Sequence, residues 1–408
     1  MSAVVSKSSP VVVVGQSEPA TPGSIINLSS FDNCFVPFPT AALLLFDQPI
    51  DDTIETIKKA LSQALVRYHP MAGRLATGAD GELHHIACTG EGASFVAASA
   101  SCSLDELSTS SPLLLKDLTL RYPGEYCCLN DALLLMQVTE FSCGGFAVGV
   151  TWNHLIADGV GMAQFLQAIG ELARGMPAPS VVPVRFDGSL PCLPQPMVAW
   201  LRSQMRIETD EMASLDVTIS SSSISRVKAE CGDCTTFEAV AAVLWRCRTR
   251  ATMSDSEAPA LLVFLSNVRE VVGAKDGFYG NCLTMQFVQA TSGTVANSDI
   301  KDLVKLIRLA KEKIPDLYKN VGSSDEPQQV PPSYNILTIS SWRNLGFDAV
   351  DFGSGKPARV MWQGEKTVAL FCYLCPPCKG KYGLNVISLC VKPEHADAFL
   401  GELAALDI

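Results

Sequence analysis

The amino-acid sequence predicts a two-domain α/β protein. Three observations carry this. The chain has 408 residues, 48% of them hydrophobic and 18% charged, which is more core-forming material than one ordinary domain uses. Short β-rich runs alternate with helix-period segments along its length. A proline-dense stretch between Gly175 and Pro196, carrying Pro177, Pro179, Pro183, Pro191, Pro194 and Pro196, admits no regular helix and reads as an extended crossover. The boundary is expected there, with an N-terminal domain over 1–185, a linker over 186–215 and a C-terminal domain over 216–408.

Ile54, Ile57, Leu61, Leu65 and Tyr68 fall at helical spacing over 51–68, with Asp52 and Glu55 placed like a capping box. Residues 133–139 and 146–152 are β-rich and separated by Gly144-Gly145, so they read as a hairpin or two neighbouring strands. In the second run Phe146, Val148, Val150 and Trp152 share one face. Met162, Phe165, Leu166, Ile169 and Leu172 then mark a helix that Gly175 would cap. Beyond the crossover, helices are expected over 235–250, 300–317 and 394–403. Strands are expected over 261–266, 283–289, 368–374 and 384–391.

Several function classes drop out. A formal net charge of −11 does not suit a nucleic-acid binder, because phosphate backbones require clustered Lys and Arg. No run approaches the roughly 18 apolar residues of a membrane helix. The apolar run at 11–14 is too short for a signal-peptide core, so a cytoplasmic protein is expected. Fifteen scattered cysteines do not form the framework of a small secreted domain. Cys231 with Cys234, and Cys372, Cys375 and Cys378, have metal-like spacing, but the first pair sits in a turn. Residues three apart on a strand face opposite sides, so Cys372 and Cys375 would diverge, and no metal site is expected. No Gly-x-Ser-x-Gly elbow, phosphate loop or dinucleotide fingerprint occurs.

One run carries chemistry: Trp152-Asn153-His154-Leu155-Ile156-Ala157-Asp158-Gly159, between a strand and a helix. An imidazole titrates near neutral pH, and a strand end holds it rigidly, so His154 suits a general base. Asp158 lies where the chain turns into the helix, placed to cap it, to pair with a distant arginine or to orient the imidazole. His84 and His85 are adjacent and would face opposite sides of a strand, so neither suits a metal, and His69 and His395 lack partners and read as structural or exposed.

The His-x-x-x-Asp-Gly signature behind a strand resembles that of the coenzyme A-dependent acyltransferases related to chloramphenicol acetyltransferase, in particular the plant BAHD acyltransferases. Further segments resemble that family in the same chain order. Leu28-Ser29-Ser30-Phe31-Asp32 is similar to its N-terminal Leu-Ser-x-x-Asp. Tyr68-His69-Pro70-Met71-Ala72-Gly73-Arg74-Leu75 and Thr235-Thr236-Phe237-Glu238-Ala239 are similar to two more of its segments. Asn267-Val268-Arg269, Tyr279-Gly280-Asn281 and Ser340-Ser341-Trp342 match others. Asp351-Phe352-Gly353-Ser354-Gly355 resembles its C-terminal Asp-Phe-Gly-Trp-Gly, with Ser354 in place of the Trp.

The resemblance implies two chloramphenicol acetyltransferase-like domains of mixed sheets flanked by helices, with an active-site tunnel between them. It implies acyl-CoA as co-substrate, no permanently bound cofactor, and a small-molecule alcohol or amine acceptor. The acyl group would be hydroxycinnamoyl, benzoyl or short aliphatic, transferred without a covalent acyl-enzyme, and the protein would be a monomer. His154 would be the base and Asp158 a structural partner, paired with Arg269. Thr235, Thr236 and Arg246 would contact coenzyme A; at least two of Arg246, Arg248 and Arg250 would belong to a solvated face. Ser29, Ser30 and Phe31 would line the acceptor side. Asp351, Gly353 and Gly355 would shape a structural loop, which leaves the oxyanion donor open because the Trp is absent. Rival accounts are N-acyl transfer to an amine or polyamine, a non-catalytic binding protein of the same fold, a condensation-type domain and a hydrolase.

Overall fold

The two β-rich runs flanking Gly144-Gly145 become antiparallel neighbours, Leu134–Phe141 against Phe146–Asn153. Gly144 permits the turn because its φ of +86° lies in the left-handed region that strains other residues. This is seen in a computed structural model that describes residues 4–15, 24–78, 83–109, 112–208, 210–319, 333–364 and 366–406. Three strands position the site: Pro39–Phe46 (β1), Phe146–Asn153 (β2) and Arg359–Trp362 (β3). Among the described residues they sit side by side in a seven-stranded sheet ordered Val5–Lys7, Ala93–Ala100, Leu134–Phe141, β2, β1, β3, with Val11–Val13 also paired to Ala93–Ala100. Ala93–Ala100 and Leu134–Phe141 run parallel, whereas β2 is antiparallel to both of its neighbours. Strand β2 is buried along all eight residues, which accounts for its unbroken apolar character. The helix Gly159–Ala173 (α1) comes after it, and Gly175 ends that helix at a φ of +84° with its N–H on the Leu172 carbonyl.

The chain divides into two compact units, but not at one point. The first comprises Met1–Leu193, Gly273–Cys282 and Asn344–Glu365; the second comprises Pro194–Val272, Leu283–Arg343 and Lys366–Ile408. This departs from the expected contiguous domains 1–185 and 216–408. Strand β3 pairs antiparallel with β1, Trp362 opposite Ala42, so the Asp351 loop belongs to the first unit and not to the C-terminal one. The expected linker is also structured in part, holding the helix Gln195–Ser203 and the first residue of the strand Leu215–Ser220. Proline density describes 177–194 correctly, where no helix forms; Pro196 instead occupies the first turn of the helix, where a missing N–H costs nothing.

The second unit is built on a sheet that is six-stranded among the described residues, ordered Leu215–Ser220, Gly383–Leu389, Phe371–Cys375, Ile336–Ser341, Pro259–Asn267, Leu283–Thr291. Its core is packed by the helix Thr236–Thr252 (α2), whose Val240, Ala241, Leu244, Trp245 and Cys247 are buried. The expected helix over 300–317 breaks into Ile300–Glu312 and Ile314–Lys319, because Pro315 cannot donate into a continuous ladder. The capping box expected at Asp52 is absent. Asp52 has a left-handed φ of 47° and makes no cap bond, whereas Thr235 and Glu238 form such a box at the start of α2. No helix among the described residues is long and apolar enough to cross a membrane.

Candidate active site

His154 comes directly after the last residue of β2, and its placement is built from backbone geometry. Its N–H donates to the Phe38 carbonyl at 3.0 Å, continuing the ladder in which Asn153 opposes Pro39. Asn153 then closes a turn, its Oδ1 accepting from Leu155 N and its carbonyl from Ile156 N, both at 3.0 Å. The Trp152 indole N–H reaches over the turn to the Ala157 carbonyl at 2.9 Å. The 152–158 segment is thereby held by its own side chains, which explains how a loop carries a rigid imidazole.

Asp158 is the N-cap of α1. Its Oδ1 accepts from Gly161 N and its Oδ2 from Cys282 N, both at 3.0 Å, and the residue is buried. Gly161 is required here by close approach: a Cβ on it would stand 1.9 Å from the Tyr279 carbonyl oxygen. The carboxylate therefore ties the first turn of the helix to the 277–282 segment. Arg269 starts a short helix, and its N–H and Nη1 donate to Asn267 Oδ1.

A second buried carboxylate acts on the same turn. Asp32 is fully buried and accepts from Ser29 N and Ser29 Oγ at 2.8 Å, from Asn281 N at 3.1 Å and from Asn281 Nδ2 at 2.9 Å. It forms an ion pair with Arg185 at 3.1 Å. Asn281 Nδ2 also donates to the His154 carbonyl at 2.9 Å, and Arg185 Nη2 donates to the Leu155 carbonyl at 3.1 Å. Arg185 is held in register because Val184 N and Tyr279 N bond across to the Gly277 and Val184 carbonyls. The network thus fixes the carbonyls of His154 and Leu155.

The imidazole is partly exposed, with its Nδ1 shut off from solvent. Phe35 and Phe38 stack on it, with ring centroids at 4.6 and 4.9 Å and interplanar angles of 23° and 21°. Burial pushes its pKa down to about 4, against the opposing pull of Asp158 and Asp32. The ring is therefore neutral, and able to accept a proton, at every pH where the protein would ordinarily work.

The loop that carries the C-terminal signature lies elsewhere. Asp351 Oδ1 accepts from Gly353 N at 2.7 Å and Gly355 N at 2.9 Å, and both glycines have positive φ, +120° and +87°. Phe352 packs edge-on against Phe46 and Phe146, at the end of β2 remote from His154. Arg174, just past the C-terminus of α1, donates to the Asp351 carbonyl. The eight residues of strand between them place this loop roughly 20 Å from the imidazole. Ser354 Oγ is buried there without a hydrogen-bond partner.

The other expected site residues are placed within the fold as follows. Ser29 is bonded to Asp32, Ser30 Oγ accepts from Leu193 N at 2.9 Å, and Phe31 is buried. The rings that meet His154 belong to Phe35 and Phe38. Thr235 Oγ1 accepts from Glu238 N, and the Glu238 carboxylate occupies the start of α2, where it meets Lys311 and Arg308, so the helix end already holds an anion of its own. Thr236 is the first residue of that helix; Arg246 is partly buried with Nε lacking a hydrogen-bond partner. Arg248 is not on a solvated face: it is buried and donates to the Cys390 and Tyr334 carbonyls. Arg250 is exposed and paired with Glu402. His395 has a partner, the Tyr334 hydroxyl at 2.7 Å. Among the described residues no cluster of three or more His, Cys, Asp or Glu side chains is placed to hold a metal.

Comparison with known proteins places the chain among transferases. The model of the Transferase family matches residues 4–400. Acyl transferase 15 of Oryza sativa subsp. japonica is 45% identical over 100% of this chain and 99% of its own. Myricetin 3-O-glucosyl 1,2-rhamnoside 6'-O-caffeoyltransferase AT2 of Crocosmia x crocosmiiflora is 34% identical over 99% of each. In three dimensions vinorine synthase superposes with a TM-score of 0.77 at 20% identity, over 99% of this chain and 98% of that one.

Proposed function

The chain belongs to the BAHD family of plant coenzyme A-dependent acyltransferases, and from that premise we propose that it moves an acyl group from its CoA thioester to a hydroxyl of a plant specialised metabolite, with His154 as general base. The acyl group is hydroxycinnamoyl, benzoyl or short aliphatic. A caffeoyltransferase among the relatives, acting at a 6'-oxygen, supports the first of these and O-acylation. The observation that carries the reading is a neutral imidazole at the end of β2, partly exposed, whose neighbouring carbonyls are held by Asn281 and Arg185.

With Nδ1 enclosed, Nε2 is the nitrogen that an acceptor reaches. Nε2 takes the hydroxyl proton as the oxygen attacks the thioester carbon. Collapse of the tetrahedral intermediate breaks the C–S bond, and the imidazolium returns the proton to the coenzyme A thiolate. A thioester is already activated, so alignment and proton removal are the protein's main tasks. Asp158 serves this by holding α1 and the 277–282 segment together, not by exchanging protons.

The test is a matrix of acyl-CoA donors against alcohols and amines, read by product mass and thiol release. O-acyl products are expected, with His154→Ala lowering kcat/KM by about a thousandfold at unchanged Tm. Amides alone would overturn the O-acyl assignment, and an active His154→Ala protein would overturn the base. Because burial favours the neutral ring, protonation silences the base only as pH falls towards about 4. The acid limb of kcat/KM is accordingly expected there and not near the ordinary imidazole value of about 6.5.

A further inference from the structure

Phe35 and Phe38 exchange no proton in the chemistry above, yet both stack on the His154 imidazole, at centroid distances of 4.6 and 4.9 Å and with planes close to parallel. They come from one short stretch: Phe35 directly follows the 3-10 turn Asp32–Cys34, and Phe38 directly precedes β1. The Phe38 carbonyl also accepts the His154 N–H. The segment that fixes the backbone of the base therefore covers its ring as well.

We propose that Phe35 and Phe38 are positioning residues for the general base: their rings hold the imidazole plane and keep water from its faces, leaving the Nε2 edge for the acceptor. The inference rests on the reading of His154 as that base. Stacked rings restrict rotation about χ2, and apolar cover disfavours the imidazolium. Of the charged groups acting on the ring, the two carboxylates work the other way. Asp158, at the cap of α1, and Asp32, in the 3-10 turn, favour the protonated ring. Arg185, from the crossover, is already paired with Asp32. The Cys34 thiol is pushed up to about 12 and carries no charge. The apolar cover is thus what keeps the base neutral beside two carboxylates.

The experiment uses the full chain in three variants, Phe35→Leu, Phe38→Leu and Phe38→Tyr, with His154→Ala to assign the imidazole signal among five histidines. Imidazole titration by NMR is the first readout and needs no substrate. Either Leu variant is expected to raise the His154 pKa by about one unit or more, with Phe38→Tyr close to wild type. The second readout is kinetic: a fall of about tenfold in kcat, an acid limb that moves up with the titration, and an unchanged KM for acyl-CoA. Unchanged titration in a folded Leu variant overturns the inference. So does a change confined to the acceptor KM, which would make the rings acceptor walls only. Phe38 is partly exposed, so its variants keep the test open if Phe35→Leu fails to fold. A fully active His154→Ala protein would instead sink the catalytic reading, and the NMR titration would still decide what the rings do.

Discussion

The two ends of strand β2 both carry sequence signatures, yet they are built on opposite principles. At the His154 end, buried polar groups converge on backbone carbonyls and leave one imidazole partly exposed. At the Phe146 end, the Asp351 carboxylate is turned on its own loop, and Phe352 fills an aromatic cluster with Phe46 and Phe146. The first arrangement directs its hydrogen bonds to holding the backbone beneath that side chain. The second shapes a loop and ties it to the end of α1 through Arg174. The two motifs therefore differ in what their hydrogen bonds hold: backbone carbonyls beside an imidazole at one end, a loop at the other.

Removing Asp158 strains this contrast most. Asp158→Ala leaves the Gly161 and Cys282 N–H groups without their acceptor, at a cost of about 2 to 4 kcal/mol. Lower soluble yield, a lower Tm and loss of activity are expected together; normal stability with activity abolished would make Asp158 a participant in proton transfer. At the far end, Asp351→Ala removes two loop hydrogen bonds and the Arg174 ion pair and is expected to cost about 1 kcal/mol. The kcat of the folded fraction should stay within about twofold of wild type, since the loop lies roughly 20 Å from the His154 imidazole. A large fall in kcat at unchanged Tm would show that the two ends are coupled.

The legibility of these regions in the sequence depends on how local their physics is. Strand β2, helix α1 and the Gly175 cap are readable because alternation, helical period and a left-handed glycine are all set by near neighbours. His154 and Asp158 are readable because strand, turn and helix succeed one another in one run. Arg185 is not: it lies in a proline-rich crossover with no periodicity, and its partners Asp32 and Leu155 are 153 and 30 residues away. Asp32 and Asn281 stand in recognised segments, but their joint role depends on a contact across 249 residues. Phe35 and Phe38 sit a few residues beyond Ser29, Ser30 and Phe31, but no periodicity in that short stretch marks them as the rings stacked on His154. The contiguous domains fail for a related reason, since only pairing shows that β3 returns to the first sheet.

Ser354 is where the least change is expected and where the contrast is most exactly drawn. It occupies the place where the family pattern has a Trp, and its Oγ is buried without a hydrogen-bond partner. If it supplied an oxyanion donor, Ser354→Ala would lower kcat by about a hundredfold. Its place on the Phe146 side of the sheet predicts otherwise: kcat unchanged, and stability unchanged or raised by up to about 1 kcal/mol as an unsatisfied hydroxyl is removed. Ser354→Trp, which restores the family residue, should likewise alter Tm and leave kcat alone. Steady-state kinetics and thermal melts on the two variants separate a scaffold position from a catalytic one, because a donor acts on kcat and a buried loop residue acts only on folding.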